Sequence, residues 1–192
     1  RPHDSLGVIA MGIRHADRVQ RALDEALEQH PELDSFLDQE TEERFFVKNL
    51  ERVQGDERDA IILTVGYGKD RGGNLPFRFG PLLSLGGQRR LNVAVTRARQ
   101  RMTLVSSFSH LDMDIARVKP GTGVELLRYY LLYAASEGKR LSDATPTGDP
   151  LNGRAHFGHV HVVEQNDVGA GLHRMLPLFQ CVGLALDRVG VV

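Results

Sequence analysis

Between Gly86 and Met102 the sequence reads GGQRRLNVAVTRARQRM, placing Arg89, Arg90, Arg97, Arg99 and Arg101 within thirteen residues. From Arg71 to Leu111 there are seven arginines and no lysine, aspartate or glutamate. A guanidinium group presents paired, planar donors that match phosphate oxygens better than an ammonium does. A solvated face ordinarily mixes both signs, so this excess in a chain of net charge −1 points to a local, negatively charged partner. The competing reading is a cationic helix face that meets only water, which is what most charge runs are.

A second group of polar residues lies upstream in RVQGDERDAIIL, Arg52 to Leu63. Gly55 permits a tight turn and close approach to a ligand, while Gln54 and Glu57 offer side-chain hydrogen bonds just before an apolar strand. Ligands of open α/β sheets collect at the carboxyl ends of strands, which is where such a site is expected. Taken alone, the tetrapeptide QGDE before a strand could equally be a surface turn.

Elements must hold these residues in place. Leu6 to Met11, Phe45 to Val47, Ala60 to Val65 and Met102 to Ser106 are short apolar runs of the kind that form buried parallel strands. Between the first two, Val19, Ala22, Leu23, Ala26 and Leu27 have helical spacing, with Asp17 as cap, Gln20 completing a capping box, and Pro31 marking the end. The arginine stretch is predicted as a helix over about residues 88–101. Arg90 and Arg97 then share a face two turns apart, and Arg97 and Arg101 are neighbours. Residues 69–87, rich in Gly and Pro, are expected to form a long functional or mobile loop with room for a hairpin. A last helix packs Leu126, Leu127, Tyr130, Leu131 and Ala134 on one side. Strands alternating with amphipathic helices predict an α/β layer with a mainly parallel sheet.

Composition narrows the class. The chain has 192 residues, 41% hydrophobic and 26% charged, so it does not coat polyanions through bulk charge. Cys181 is its one cysteine, which excludes an internal disulfide and fits a reducing compartment. No apolar run reaches membrane-spanning length. The sequence opens on Arg1 without an initiator Met, so a piece of a longer polypeptide is expected.

Taken together, VQGDERDAIILTVGYG and GGQRRLNVAVTRARQRMTLVSS closely resemble motifs V and VI of superfamily 1 helicases. The branch resembled is the Upf-like one, with its QGxExD and RRLNVAxTRAR patterns. SLGVIAMGIRHADRVQRAL resembles the strand and helix that precede them in the second RecA-like domain, so the resemblance runs from about Ser5 to Ser107. FFVKNLERVQGDERDAII and SSFSHLDMD are most similar to large bacterial helicase proteins that often carry a nuclease-like C-terminal domain. The resemblance implies a RecA-like parallel sheet flanked by helices over residues 1–138, with a linker over 139–152 and a poorly defined extension over 153–192.

It also implies roles. Arg97 matches the arginine finger that reaches the γ-phosphate of ATP across the cleft between two RecA-like domains. Arg89 and Arg90 match paired, cleft-facing arginines, and Gln54, Gly55 and Glu57 match the motif between nucleotide and nucleic acid, with the glutamate on the nucleotide sugar. Asp59 matches the motif's acid, for which a structural role, paired with Arg58 or a motif VI arginine, stands open. Lys48 and Asn49 lie where a single strand would pass. The implied partners are single-stranded nucleic acid, DNA ahead of RNA, and an N-terminal RecA-like domain in cis or in trans, in the cytoplasm.

The sequence contains no G-x-x-x-x-G-K-[ST] loop to cradle phosphates and no Asp-Glu pair after an apolar strand to hold Mg²⁺. ATP and Mg²⁺ are therefore expected to be held mainly by the other domain, and the chain is not expected to hydrolyse ATP alone. The alternative from another class is an inactive helicase remnant that binds nucleic acid or a partner without turnover. In the tail, His156, His159, His161, Glu164, His173 and Cys181 lack any Cys-x-x-Cys or His-Glu-x-x-His spacing, so an exposed His-rich segment is expected rather than a metal site. After Asn152 there are three acids, Glu164, Asp167 and Asp187, and no lysine, which does not suit a nuclease core.

Overall fold

The apolar runs become strands of one sheet in a computed structural model that describes residues 4–30, 43–135 and 160–164. Strands β1 (Leu6–Ala10), β2 (Phe46–Asn49), β3 (Arg58–Thr64), β4 (Ala98–Ser106) and β5 (Val160–Glu164) pair in parallel in the order β2-β1-β3-β4-β5. Helices α1 (Ile13–Gln29), α2 (Gly87–Val95) and α3 (Gly123–Ala135) flank it. This is the parallel α/β layer with flanking helices that a RecA-like domain requires.

Two-residue alternation divides the strands between two cores. Ile9, Ile61, Leu63, Met102 and Leu104 meet Leu91, Ala94 and Val95 of α2 and Val124, Leu127, Tyr130 and Leu131 of α3. On the opposite face, Leu6, Val8, Ala60, Ile62 and Val105 meet Val19 of α1. Because both faces are covered, the central strands read as unbroken apolar runs rather than alternating ones.

Several boundaries differ from the sequence expectation. Helix α2 stops at Val95, Thr96 and Arg97 form a turn, and β4 begins at Ala98 rather than Met102. The peptide N–H of Arg58 donates to the carbonyl of Arg97 at 3.0 Å, so strand pairing with β3 takes over where β-branched Val93, Val95 and Thr96 have weakened the helix. Helix α1 starts at Ile13 after an extended Gly12 that makes no side-chain cap. Asp17 therefore lies inside the helix, and Gln20 donates to Asp24 at 2.8 Å rather than closing a capping box. The helix does end before Pro31, with His30 as its C-cap. The segment 65–86 forms no hairpin; it packs Phe79, fully buried, edge-on against Tyr67 and Phe77. In the tail, β5 adds a strand beside β4. The linker at 139–152 and His156, His159, His173 and Cys181 lie outside the described residues. Among the described residues no three His, Cys, Asp or Glu gather to hold a metal, and no helix is long and apolar enough to cross a membrane.

One half-buried group sets a pH dependence. His15, in the first turn of α1, lies against Thr64 (Nε2 to Oγ1, 3.4 Å), and its Nδ1 has no hydrogen-bond partner among the described residues. Gly66, at φ +64°, passes so close that a Cβ there would sit 2.0 Å from the imidazole Nδ1. Burial, with the Arg18 charge nearby, pulls the His15 pKa from 6.5 to about 4. The unfolded chain then takes up a proton near pH 6.5 that the folded chain accepts only near 4, so stability is expected to fall as pH drops through that window. The one-proton slope is at most about 1.4 kcal/mol per pH unit. Thermal melts between pH 7 and 4.5 should show it, and His15→Gln should flatten it; an unchanged slope in that variant would place the proton elsewhere.

Candidate functional site

The loops that carry QGDE and TRAR each enter a strand, β3 and β4, and those strands are parallel neighbours. Both loops therefore arrive at the same edge of the sheet. It is the amino edge, not the carboxyl edge expected from the general behaviour of open α/β sheets, because QGDE precedes its strand and TRAR runs into the start of its own.

The first loop closes as a turn in which the Asp56 N–H donates to the Val53 carbonyl at 3.2 Å, with Gly55 at φ +89°. Positive φ at the third position is the mark of a type II turn and explains the glycine. Val53, fully buried, anchors the turn, while Gln54 and Gly55 stay exposed. A Cβ on Gly55 would meet nothing within 4 Å, so only the backbone conformation opposes substitution. Gly55→Ala is expected to cost about 1 kcal/mol, a fall in melting temperature of about 2–4 °C. A melting point unchanged within error would mean that this turn is not populated.

Arg97 is presented from the turn after α2. Its Nε donates to the Val93 carbonyl at 3.0 Å, its Nη2 donates to Thr96 Oγ1 at 3.2 Å, and its Nη1 lies 3.4 Å from Glu57 Oε1. The structure thus joins Glu57 and Arg97, forty residues apart, into one ion pair. Glu57 is 51% exposed and Arg97 18%, so the pair is a surface one worth about 0–1 kcal/mol. Such a pair orients the guanidinium without tying it down, and an anion with several phosphate oxygens can displace the single carboxylate contact.

The remaining candidates separate from this pair. Arg90 points back to the start of α2, where its Nη1 donates to the Leu85 carbonyl at 3.0 Å, and Arg89 is exposed on the same turn. Since Arg97 lies beyond the last residue of α2, the face that a longer helix would have given Arg90, Arg97 and Arg101 does not exist. Arg101 lies in β4 opposite Ala60. Lys48 pairs with Asp56 at 2.7 Å over the ring of Phe46, and buried Asn49 accepts from the Arg52 N–H at 3.1 Å, so both brace the 50–57 loop.

Asp59 settles on a motif VI arginine, not on Arg58. Its Oδ1 pairs with the Arg99 guanidinium, 3.2 Å from Nε, and accepts from Gln100 Nε2 at 3.1 Å, and its Oδ2 accepts from the Ser5 N–H at 3.0 Å and hydroxyl at 2.9 Å. Burial pushes this carboxyl up, but the Ser5 bonds, the Arg99 charge and Gln100 outweigh it and hold the pKa below the usual carboxylate range. Arg99 also donates through Nη1 to Glu43 Oε1 at 2.7 Å and through Nη2 to Glu43 Oε2, a bidentate pair that lowers the Glu43 pKa. Arg58 is spent elsewhere: its guanidinium donates to the Arg44 carbonyl at 3.0 and 2.6 Å and lies over the Phe46 ring. Ser5, Glu43 and Gln100 were not singled out by sequence, and nothing in their local pattern marks them.

The family described as an AAA domain matches residues 3–109. The uncharacterized ATP-dependent helicase MG140 of Mycoplasma genitalium is 39% identical over 139 residues, which are 70% of this chain and 12% of that protein. Its homologue in Mycoplasma pneumoniae is 39% identical over 133 residues, 67% of this chain and 11% of that protein. The chain thus spans only about an eighth to a ninth of the length of these relatives. No solved structure matches it.

Proposed function

This chain belongs to the AAA domain family and is a C-terminal domain of helicase type, and from that premise we propose that it is the second motor half of an ATP-dependent superfamily 1 helicase of the Upf-like branch. The observation that carries the reading is the meeting of Glu57 and Arg97 at 3.4 Å on one edge of the sheet. Two motifs that lie apart in sequence supply one acidic and one cationic group, from the turns that lead into adjacent strands.

In this reading ATP supplies the phosphoryl group to be transferred to water, and Mg²⁺ is held with it by the N-terminal RecA-like domain, in cis or in trans. The described residues offer no carboxylate cluster for the metal. They do offer Arg97 as the cation toward the triphosphate, while Arg89 and Arg90, which match the paired cleft-facing arginines, sit at the other end of α2. Arg97 leaves Glu57 and stabilises charge on the equatorial phosphate oxygens as the bond to the leaving group loosens. Glu57, released, accepts a hydrogen bond from the nucleotide sugar, and the exposed turn at Gln54 and Gly55 lies between nucleotide and strand. Single-stranded DNA, ahead of RNA, is the expected track, and the cytoplasm the expected compartment.

The test is assembly with a Walker-bearing N-terminal half of the same helicase. The assembled pair should hydrolyse ATP faster when single strands are added, and the chain alone should not hydrolyse it. Salt-sensitive binding of single strands with no turnover under any pairing would instead favour the remnant reading.

A further inference from the structure

Between β3 and β4 the register slips: Arg58 faces Ala98, but Ala60 faces Arg101. Asp59 alone therefore opposes two residues, Arg99 and Gln100, which makes this a β-bulge. Successive residues of a regular strand point to opposite faces. Here both successive side chains reach the same carboxylate oxygen, at 3.2 and 3.1 Å. A bulge bends its strand and re-aims the neighbouring side chain, and the residue two before Arg99 is Arg97.

We propose that Asp59 is a positioning residue for Arg97: by gripping both residues of the bulge it fixes the turn from which the Arg97 guanidinium is presented. Asp59 does not touch Arg97. Its hold passes through the backbone, since the N–H of Arg58, next to Asp59, donates to the carbonyl of Arg97 at 3.0 Å. The carboxylate is itself immobilised from behind, because the Ser5 N–H and hydroxyl donate to its Oδ2 and the Asp59 peptide N–H donates to Ser5 Oγ at 3.1 Å. Glu43 and the Ser5 hydroxyl take the far side of the Arg99 guanidinium, so the bulge is held at both ends. Without Asp59, Arg99 and Gln100 lose their shared acceptor, and the strand can shed the extra residue or slide it toward Arg97. An arginine finger is sensitive to such a shift, because a displacement of about 1 Å from a remote change can cost about 10²-fold in rate. The catalytic part of this proposal rests on the proposed function; the structural part does not.

Two measurements on Asp59→Ala, Asp59→Asn and the milder Gln100→Ala test it. In the 192-residue chain, hydrogen exchange of the Arg58 amide, which closes the bulge onto Arg97, should speed up by about tenfold or more in Asp59→Ala, with the Nε–H resonance of Arg97 shifted. Amides in the middle of β3, such as Ile62, should keep their protection. Asp59→Asn should fall between, because an amide oxygen can still accept from Arg99 and Gln100, and Gln100→Ala should show a smaller change at the same places. Unchanged exchange at Arg58, or exchange that rises equally at Arg58 and Ile62, would overturn the clamp, the second outcome showing general loss of stability.

In the assembled motor Asp59→Ala should lower kcat by about tenfold to 10²-fold, with the KM for ATP within twofold of the parent. A parent-like kcat in Asp59→Ala, where Arg97→Ala is inactive, would overturn the positioning role while leaving the finger in place. Parent-like turnover in Arg97→Ala would overturn the finger itself, and the exchange at Arg58 would still decide the clamp.

Discussion

Arg97→Ala is expected to reduce ATP turnover of the assembled motor by ~10³–10⁵ while leaving ATP affinity within a few-fold. A loss of 10³ corresponds to ~4 kcal/mol of transition-state stabilisation. An ordinary surface arginine is worth less than about 0.5 kcal/mol, so the two accounts of this side chain differ by far more than experimental error. The fold should survive the change. What Arg97 contributes to its own domain is a half-buried bond to the Val93 carbonyl, an exposed one to Thr96 and the long contact with Glu57. Arg97→Lys should recover little, since an ammonium keeps the charge but not the paired planar donors. Single-turnover hydrolysis with the Walker-bearing half measures the chemical step directly, and a rate within twofold of the parent would sink the assignment.

The second large effect concerns stability. Gly87 opens α2 where a Cβ would sit 2.3 Å from the Leu82 carbonyl oxygen and 2.7 Å from its carbon. Gly123, at the start of α3, would drive a Cβ to 2.7 Å from the carbonyl carbon of Gly87. Three backbone segments thus touch with no side chain between them. Helix propensity alone favours Gly87→Ala by up to about 1 kcal/mol. The obstacle, however, is main chain rather than the tip of a flexible side chain, so it cannot rotate away. Overpacking of this kind costs about 1–3 kcal/mol, occasionally more, and the upper end of that range is expected here. Gly87→Ala should melt several degrees below the parent, and the turn carrying Arg89 and Arg90 should shift with it. A variant that melts higher than the parent would mean that propensity wins and the three-way contact is looser than described.

Much of this was legible in residue order. Ile61, Ile62 and Leu63 read as a strand buried on both faces, and Leu126, Leu127, Tyr130, Leu131 and Ala134 as one side of a helix; all are buried as expected. The resemblance that paired QGDERD with RRLNVAVTRAR also singled out Glu57 and Arg97, which the fold brings into contact. The end of α2 was not legible. Residues 88–101 satisfy a helical pattern locally, and only the Arg58 N–H, arriving from another strand, captures the Arg97 carbonyl for the sheet. The bulge was hidden for a similar reason: its holders, Ser5 and Glu43, lie 54 residues from Asp59 and 56 from Arg99. A sheet-edge rule drawn from folds whose ligands sit after the strands misplaced the two motifs, which lie at the amino ends of β3 and β4.

The backbone contact between Gly87 and Gly123 bears on where this domain can be cut. The family match ends at residue 109, yet Val124, Leu127, Tyr130 and Leu131 of α3 belong to the same core as Leu63 and Leu104. Each such side chain contributes about 1.5–3 kcal/mol by leaving water. A fragment trimmed to the matched boundary would keep α2 but expose the part of this core that α3 covers, together with the seat of α2, and would invite aggregation there. An expression boundary therefore belongs beyond Ala135: the segment that evolution marks as the family and the segment that folds as a piece are not the same length.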